Sequence, residues 1–176
     1  MLRTRALEIF LARIEARAFR IASIALSNEA DALDAVQEAM IKLARRYASR
    51  PEADWAPLFH RILTNSIRDS LRRRRVRTRW LMPFRAERAE EAAPAWPEPA
   101  DPAGDPLAGL EAEEAWRILA KGLRSLPERQ REAFVLRALE GLDVAQCAQA
   151  MGCSEGSVKT HYFRAVHALR GRLEER

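Results

Sequence analysis

Residues 126–169, LPERQREAFVLRALEGLDVAQCAQAMGCSEGSVKTHYFRAVHAL, carry the punctuation of three helices. Pro127 suits a first helical position, where its missing N–H would be an orphan donor anyway, and Gly141 suits the stop. Asp143 followed by Gln146 has the form of a capping box opening a second, short helix that ends at Gly152. Ser154 caps a third, and Glu155 places negative charge in its first turn. Only a few residues centred on Gly152 join the last two helices, so these cross steeply. Ala148, Gly152 and Val158 fall where a helix-turn-helix needs close contact, a left-handed turn and a core anchor.

The third helix sorts by its period. Val158, Tyr162, Ala165, Val166 and Leu169 share one apolar face, directed at the two preceding helices. Lys159, Thr160, Phe163 and Arg164 fall on the outer side. They offer cations and a hydroxyl for phosphates and base edges, and an aromatic for a thymine methyl. A three-helix core with a solvated basic face has the same pattern; DNA binding is the better account of it.

Charge is segregated along the 176 residues. Residues 1–80 carry 17 Lys/Arg against 9 Asp/Glu, residues 81–115 carry 2 against 9, and residues 116–176 carry 11 against 7. Two basic bodies joined by an acidic strap suit a nucleic-acid binder with two contact points. The strap, from about Met82 to Pro106, holds six of the nine prolines and few apolar residues, so it reads as an extended linker. The expected architecture is all-α: a first helical domain over 1–81, the linker over 82–106, and a second domain with the helix-turn-helix over 107–176. In the second domain, Leu107 to Arg124 forms an amphipathic helix with Leu110, Trp116, Leu119 and Leu123 as core positions.

Within the first domain, residues 5–26 form an amphipathic helix with Leu7, Leu11, Ile14, Ala18, Ile21 and Ala25 on its stripe, ended by Ser27-Asn28. The next runs from about Asp31 to Tyr47 and buries Leu33, Val36, Met40, Leu43 and Tyr47. Opposite lie Asp31, Asp34, Gln37 and Glu38, a compact acidic and amide patch that serves either internal salt bridges or docking of another protein, and the residues alone favour the first, because surface charge usually only solvates. Residues 48–57 read as a loop. Pro57 then opens a helix with Leu58, Phe59, Ile62, Leu63, Ile67 and Leu71 inward and Arg61, Asn65, Arg68, Asp69 and Arg72 outward. This helix runs into RRRRVRTR, Arg72 to Arg79, with six arginines in eight residues. Such density repels itself unless a polyanion neutralises it, which favours phosphate contact over a targeting patch or a frayed end.

Catalysis has little to stand on: the histidines are His60, His161 and His167, and no nucleophile set or glycine-rich phosphate loop appears. Cys147, Cys153, His161 and His167 are separated by five, seven and five residues, which misses the usual zinc pattern, and Cys147 reads as a small core residue. No cofactor or metal is expected, and two cysteines imply no disulfide framework. No apolar run is long enough to span a bilayer, and Arg13, Glu15 and Arg17 break any signal-peptide core, so the expected location is the cytoplasm.

Taken together, the chain resembles an RNA polymerase sigma factor of the two-domain, extracytoplasmic-function group of the sigma-70 type. DALDAVQEAMIKL resembles that family's docking helix for the polymerase β′ coiled coil. WAPLFHRILTNSIRDSLRRRR resembles the helix that meets and opens the downstream promoter element, and residues 126–169 resemble the domain that reads the upstream element. The resemblance implies a transcription initiation factor that binds the β′ coiled coil and β regions of core polymerase, and promoter DNA, with room for an anti-sigma factor as a further partner. Asp31, Asp34, Gln37 and Glu38 become polymerase contacts. Arg61, Asn65, Arg68 and Arg72, Arg73, Arg74 and Arg75 become downstream-element contacts, with Trp55 and its loop near a flipped base. Lys159, Thr160, Phe163 and Arg164, with Ser157, become upstream readers, and Arg137 a backbone contact. The linker, by the family's precedent, threads a polymerase channel. Two departures are visible: His161 stands where the family often has arginine, and no third domain is present. A free-standing helix-turn-helix regulator or a basic RNA-chaperone-like protein are the alternatives; neither needs the acidic patch.

Overall fold

The computed structural model describes residues 2–26, 28–81 and 106–174. These residues form helices and turns, with no strand among them. The helices are α1 (Leu2–Leu26), α2 (Glu29–Tyr47), α3 (Glu52–Leu81), α4 (Pro106–Arg124), α5 (Glu128–Phe134), α6 (Val144–Met151) and α7 (Glu155–Glu174). A π-helical turn, Val135–Leu139, extends α5. The linker assigned to 82–106 lies outside the described residues except for Pro106, which opens α4, and the side chains of Arg77, Arg79 and Leu110 lie outside them too.

Helices α1, α2 and α3 share one core, in which Ile14, Ala18, Val36, Ala39, Leu43, Trp55, Phe59 and Leu63 are buried. The stripe of α2 runs through alanines as well as large residues: Ala32, Ala35, Val36, Ala39 and Leu43 face inward. Small side chains let α2 approach its neighbours closely, and this shifts the buried face by part of a turn. Leu33, expected inside, is therefore 44% exposed. Asn28, expected to end α1, instead caps α2, its side chain accepting from the Asp31 N–H at 2.8 Å.

Two helix starts differ from expectation. The loop after α2 is only residues 48–51, because α3 begins at Glu52, with the Asp54 N–H donating to the Pro51 carbonyl at 3.0 Å. Pro57 lies inside α3, where its ring is buried and the helix forgoes one hydrogen bond to Ala53. Pro127 is the N-cap of α5 rather than its first residue, with extended ψ of 143°.

In the second domain, Leu123, Leu126, Val135, Ala165 and Leu169 form one apolar cluster; Ala133, Leu136, Leu142, Cys147, Ala150, Met151 and Val158 form another. The first cluster includes Ile24 of α1, and Ala56 of α3 packs on the second, so the two domains touch. Helix α4 packs on α7 at Gly122: a Cβ there would stand 2.8 Å from Leu169 Cδ2, so a larger residue would make the end of that leucine shift.

Candidate nucleic-acid and partner interfaces

The helix-turn-helix forms as its punctuation requires. Asp143 accepts from the Gln146 N–H at 2.7 Å while the Gln146 side chain accepts from the Asp143 N–H at 3.0 Å, a reciprocal cap on α6. Gly152 ends α6 in the left-handed region, φ 63°, which an L side chain enters at a cost. Ser154 Oγ accepts from the Ser157 N–H at 3.2 Å and starts α7. Val158, Ala165 and Leu169 are buried, and Lys159, Thr160, Phe163 and Arg164 are exposed on the opposite side. Phe163 is 72% exposed and stacks on His167, with ring centroids 6.4 Å apart and an interplanar angle of 8°. The Thr160 hydroxyl donates back to the Gly156 carbonyl at 3.0 Å, leaving its methyl and lone pairs outward.

The remaining residues expected at the upstream element are less free. Ser157 is half-buried, and its hydroxyl lies 2.9 Å from that of Ser154. Arg137 donates to the Leu142 carbonyl and its guanidinium carbon sits 6.0 Å from the centre of the Tyr162 ring. His161, in the position where arginine was expected, is half-buried with Nδ1 lacking a partner.

On α3, residues 61, 65, 68, 72 and 75 recur at alternating steps of four and three, so Arg61, Asn65, Arg68, Arg72 and Arg75 form one continuous stripe. All are exposed except Arg68, which is half-buried. Arg73 donates to the Ser70 hydroxyl at 3.2 Å, and Arg74 to the Leu26 carbonyl at 3.1 Å, which ties the arginine run to the end of α1. Trp55 stands differently from expectation. It is 1% exposed, packs against Phe10 at 5.8 Å between ring centres, and its indole N–H donates to the Tyr47 carbonyl at 3.3 Å. An indole with its face and its N–H both satisfied inside the core has no surface for a base, so Trp55 is a core residue and not a DNA contact.

Arg68 is held by the second domain. Its guanidinium donates to Glu128 and, at 3.0 Å, to Glu132. Glu132 also receives Arg129 at 3.2 Å, and burial still pushes its carboxyl above the ordinary range against the pull of Arg68 and Arg129. Further along, Glu140 lies 3.3 Å from His60 Nε2 and 3.9 Å from Arg17. Burial alone would raise the Glu140 carboxyl; His60 and Arg17 outweigh it and hold it below its usual range.

On α2, Asp34 and Gln37 are exposed, Asp31 and Glu38 half-buried, and Glu38 pairs with Lys42 at 2.6 Å. Lys42 holds the Glu38 carboxyl below its ordinary range. Leu33 and Ile41, 44% and 51% exposed, lie one turn either side of Gln37. Sequence reading assigned Leu33 to the core and passed over Ile41, whose signal was an apolar residue out of phase with the core stripe.

Among the described residues no group of three His, Cys, Asp or Glu is placed to hold a metal, and no helix is long and apolar enough to cross a membrane. Cys147 is fully buried, and burial pushes its thiol up to about 11. A thiol so protonated is a packing group and not a nucleophile.

A helix-turn-helix with an outward cationic and aromatic face, and a separate arginine stripe on another domain, define a two-domain helical DNA-binding protein. Residues 9–77 match the family model for sigma-70 region 2, and residues 116–169 that for sigma-70 region 4. Over 147 residues the chain is 32% identical to the ECF RNA polymerase sigma factor SigM of Mycobacterium tuberculosis, spanning 83% of this chain and 66% of that one. It is also 32% identical to the ECF RNA polymerase sigma-E factor of Escherichia coli, over 82% of this chain and 74% of that one. Among solved structures, the sigma factor RpoE of Bartonella quintana, in complex with the anti-sigma factor NepR, superposes with a TM-score of 0.68 at 22% identity, covering 97% and 96% of the two chains. CnrH, in complex with the cytosolic domain of CnrY, superposes at 0.60 with 23% identity over 98% and 90%. These last two share the fold. The chain belongs to the sigma-70 family of RNA polymerase sigma factors, in its ECF group.

Proposed function

We propose that this protein is a transcription initiation factor: it binds core RNA polymerase in the cytoplasm and directs it to particular promoters. The observation that carries the reading is the coexistence, in one chain of this family, of two DNA-suited faces and a third face suited to neither duplex nor single strand. That third face is the α2 stripe of Asp31, Asp34, Gln37 and Glu38 flanked by Leu33 and Ile41. Acidic groups repel DNA, while aliphatics beside them give a protein partner apolar area to cover, so this face suits core polymerase.

Lys159, Thr160, Phe163 and Arg164 read the upstream element from the outer side of α7, with Ser157 and Arg137 at the margin supporting the backbone contact. Arg61, Asn65 and Arg68 meet the downstream element's exposed strand, and Arg72 to Arg75 its phosphates. The arginines supply attraction independent of sequence, and a few side chains supply discrimination. Opening the duplex is opposed by about 1.4 kcal/mol per stacked step, so polymerase must hold the strands this small protein engages. The chain itself then needs no catalytic group. Its units are 1–81 and 107–176, joined over 82–106 by the acidic segment that threads the enzyme. A free-standing regulator has no use for the α2 face. Co-purification of core polymerase with the protein, followed by transcription and sequencing of the DNA bound by the reconstituted holoenzyme, tests the proposal; failure to bind core rejects it.

A further inference from the structure

Every acidic side chain between residues 128 and 140 meets a cation or histidine of the first domain. Glu128 and Glu132 grip Arg68, and Glu140 lies against His60 and Arg17. Two of the three carboxylates are scarcely accessible: the side chains of Glu132 and Glu140 are 7% and 4% exposed. Around them the contact is apolar. Ile24 joins the second domain's core, and Ile21, Ile24, Leu63 and Ile67 line one wall of a cleft whose other wall is Glu128, Arg131, Glu132, Val135 and Leu136. At the far end Arg20 lies over the Trp116 ring at 5.6 Å.

The place of the Arg68 contact matters most. Arg68 is the centre of the outward stripe of α3, with Arg61 and Asn65 before it and Arg72 and Arg75 after it, and it alone of these five is covered. Two carboxylates stand on its Nε and Nη2, donors that the phosphate oxygens of a strand also seek. The bonds take its Nε and Nη2, which together form one edge of the guanidinium, so a strand that uses this edge must displace the two glutamates.

We infer that the free chain is latched shut: Glu128 and Glu132 occupy Arg68 in place of nucleic acid, and the downstream-element face becomes available only when the second domain swings away. This rests on the sigma-factor reading for the role of Arg68, but the latch itself is a property of the isolated chain. Coupling is reciprocal, so any ligand that needs Arg68 free binds more weakly by the fraction of molecules that are open, and removing the latch removes that loss.

The experiment reads closure and activity separately, in the full chain. Donor and acceptor dyes on unnatural amino acids at the exposed positions 45 and 170 report the distance between domains by single-molecule energy transfer. Arg68→Glu, and the milder Arg68→Gln, should raise the open-to-closed ratio by about fivefold or more, with unchanged helicity. Glu128→Arg added to Arg68→Glu should bring the ratio back towards the parent's. An unaltered ratio in both Arg68 variants, or no recovery in the charge swap, overturns the latch. The isosteric pair Glu128→Gln, Glu132→Gln leaves the proposed DNA-facing residues intact. On promoters recovered with the holoenzyme, it should lower the protein concentration for half-maximal transcription by about fivefold or more. If the pair opens the chain yet that concentration does not fall, the contact is not inhibitory. A parent protein that supports no transcription would reject the sigma-factor reading and leave the energy-transfer result standing on its own.

Discussion

Trp55 and Leu33 exchange the places that their neighbourhoods in sequence suggest. Trp55 follows a proline and two acids, the composition of a loop, yet those residues open α3 and the indole points inward onto Phe10. Leu33 is apolar beside a charged patch, yet the alanines at 32, 35 and 39 take the buried side. In both cases composition misleads because the chain chose the less obvious of two starting points, Pro51 over Pro57 and the small residues over the large. The consequence for Trp55 is measurable. Trp55→Ala should lower stability by about 3–5 kcal/mol, as emptying a packed aromatic site does, and urea unfolding should show it. A variant of parental stability that fails only in opening promoters would return Trp55 to the DNA. For Arg164 the sign of the argument is opposite. It is exposed on α7, so Arg164→Ala should leave the melting transition unmoved and cost about 1–3 kcal/mol of binding, concentrated at one base position. Binding titrations against a panel of upstream-element variants measure this, and equal losses on all of them would reduce Arg164 to a phosphate contact.

Elements whose limits are set by local chemistry were legible. The α6 cap is two side chains and two N–H groups within four residues, and the turn into α7 needs one glycine at positive φ; both are visible as Asp143, Gln146 and Gly152. The stripe of α3 is likewise visible, because helical spacing alone puts Arg61, Asn65, Arg68, Arg72 and Arg75 in line. The π turn at Val135–Leu139 was not, since nothing in VLRAL distinguishes it from α-helix. The arginine end of α3 supports a test at this scale. Arg72 and Arg75 are exposed and form no ion pair among the described residues, so converting both to Gln removes the proposed phosphate contacts without breaking a salt bridge there. The slope of log affinity against log salt for the holoenzyme–promoter complex should flatten by about 0.7–0.9 per lost contact, the lower value for single strand and the higher for duplex. An unchanged slope would mean that these arginines face solvent in the complex.

At the scale of the whole molecule, sequence spacing is silent about which distant charges meet. Arg68 and Glu132 are 64 residues apart, on helices whose periods say only that both point outward. Segregated charge announced two basic bodies, but the acidic side chains that join them belong to the second basic body and not to the strap between. The α2 face is the counterpart that stays open, and the proposed docking on polymerase rests on it. Glu38 and Asp34 lie away from the core, so the double variant Asp34→Ala, Glu38→Lys should fold normally. Its local cost is the lost attraction of Glu38 to Lys42 on its own helix and to Ser66 and Arg73 on α3, with a new like-charge contact to Lys42 that is worth on the order of 0.2–0.5 kcal/mol for such helical neighbours. Against basic groups on polymerase the same change replaces attraction by repulsion. Charge pairs at such interfaces couple by about 1.5 kcal/mol upward, and each 1.4 kcal/mol is tenfold in affinity. The expected outcome is a helical protein with a near-normal melting transition, core-polymerase affinity reduced at least tenfold, and little transcription at concentrations where the parent is saturating. Circular dichroism, a core-binding titration and a transcription assay on this one variant measure all three. Full transcription from it would remove α2 from the docking surface, because no other role of these carboxylates predicts that loss of charge is harmless to the fold and fatal to initiation.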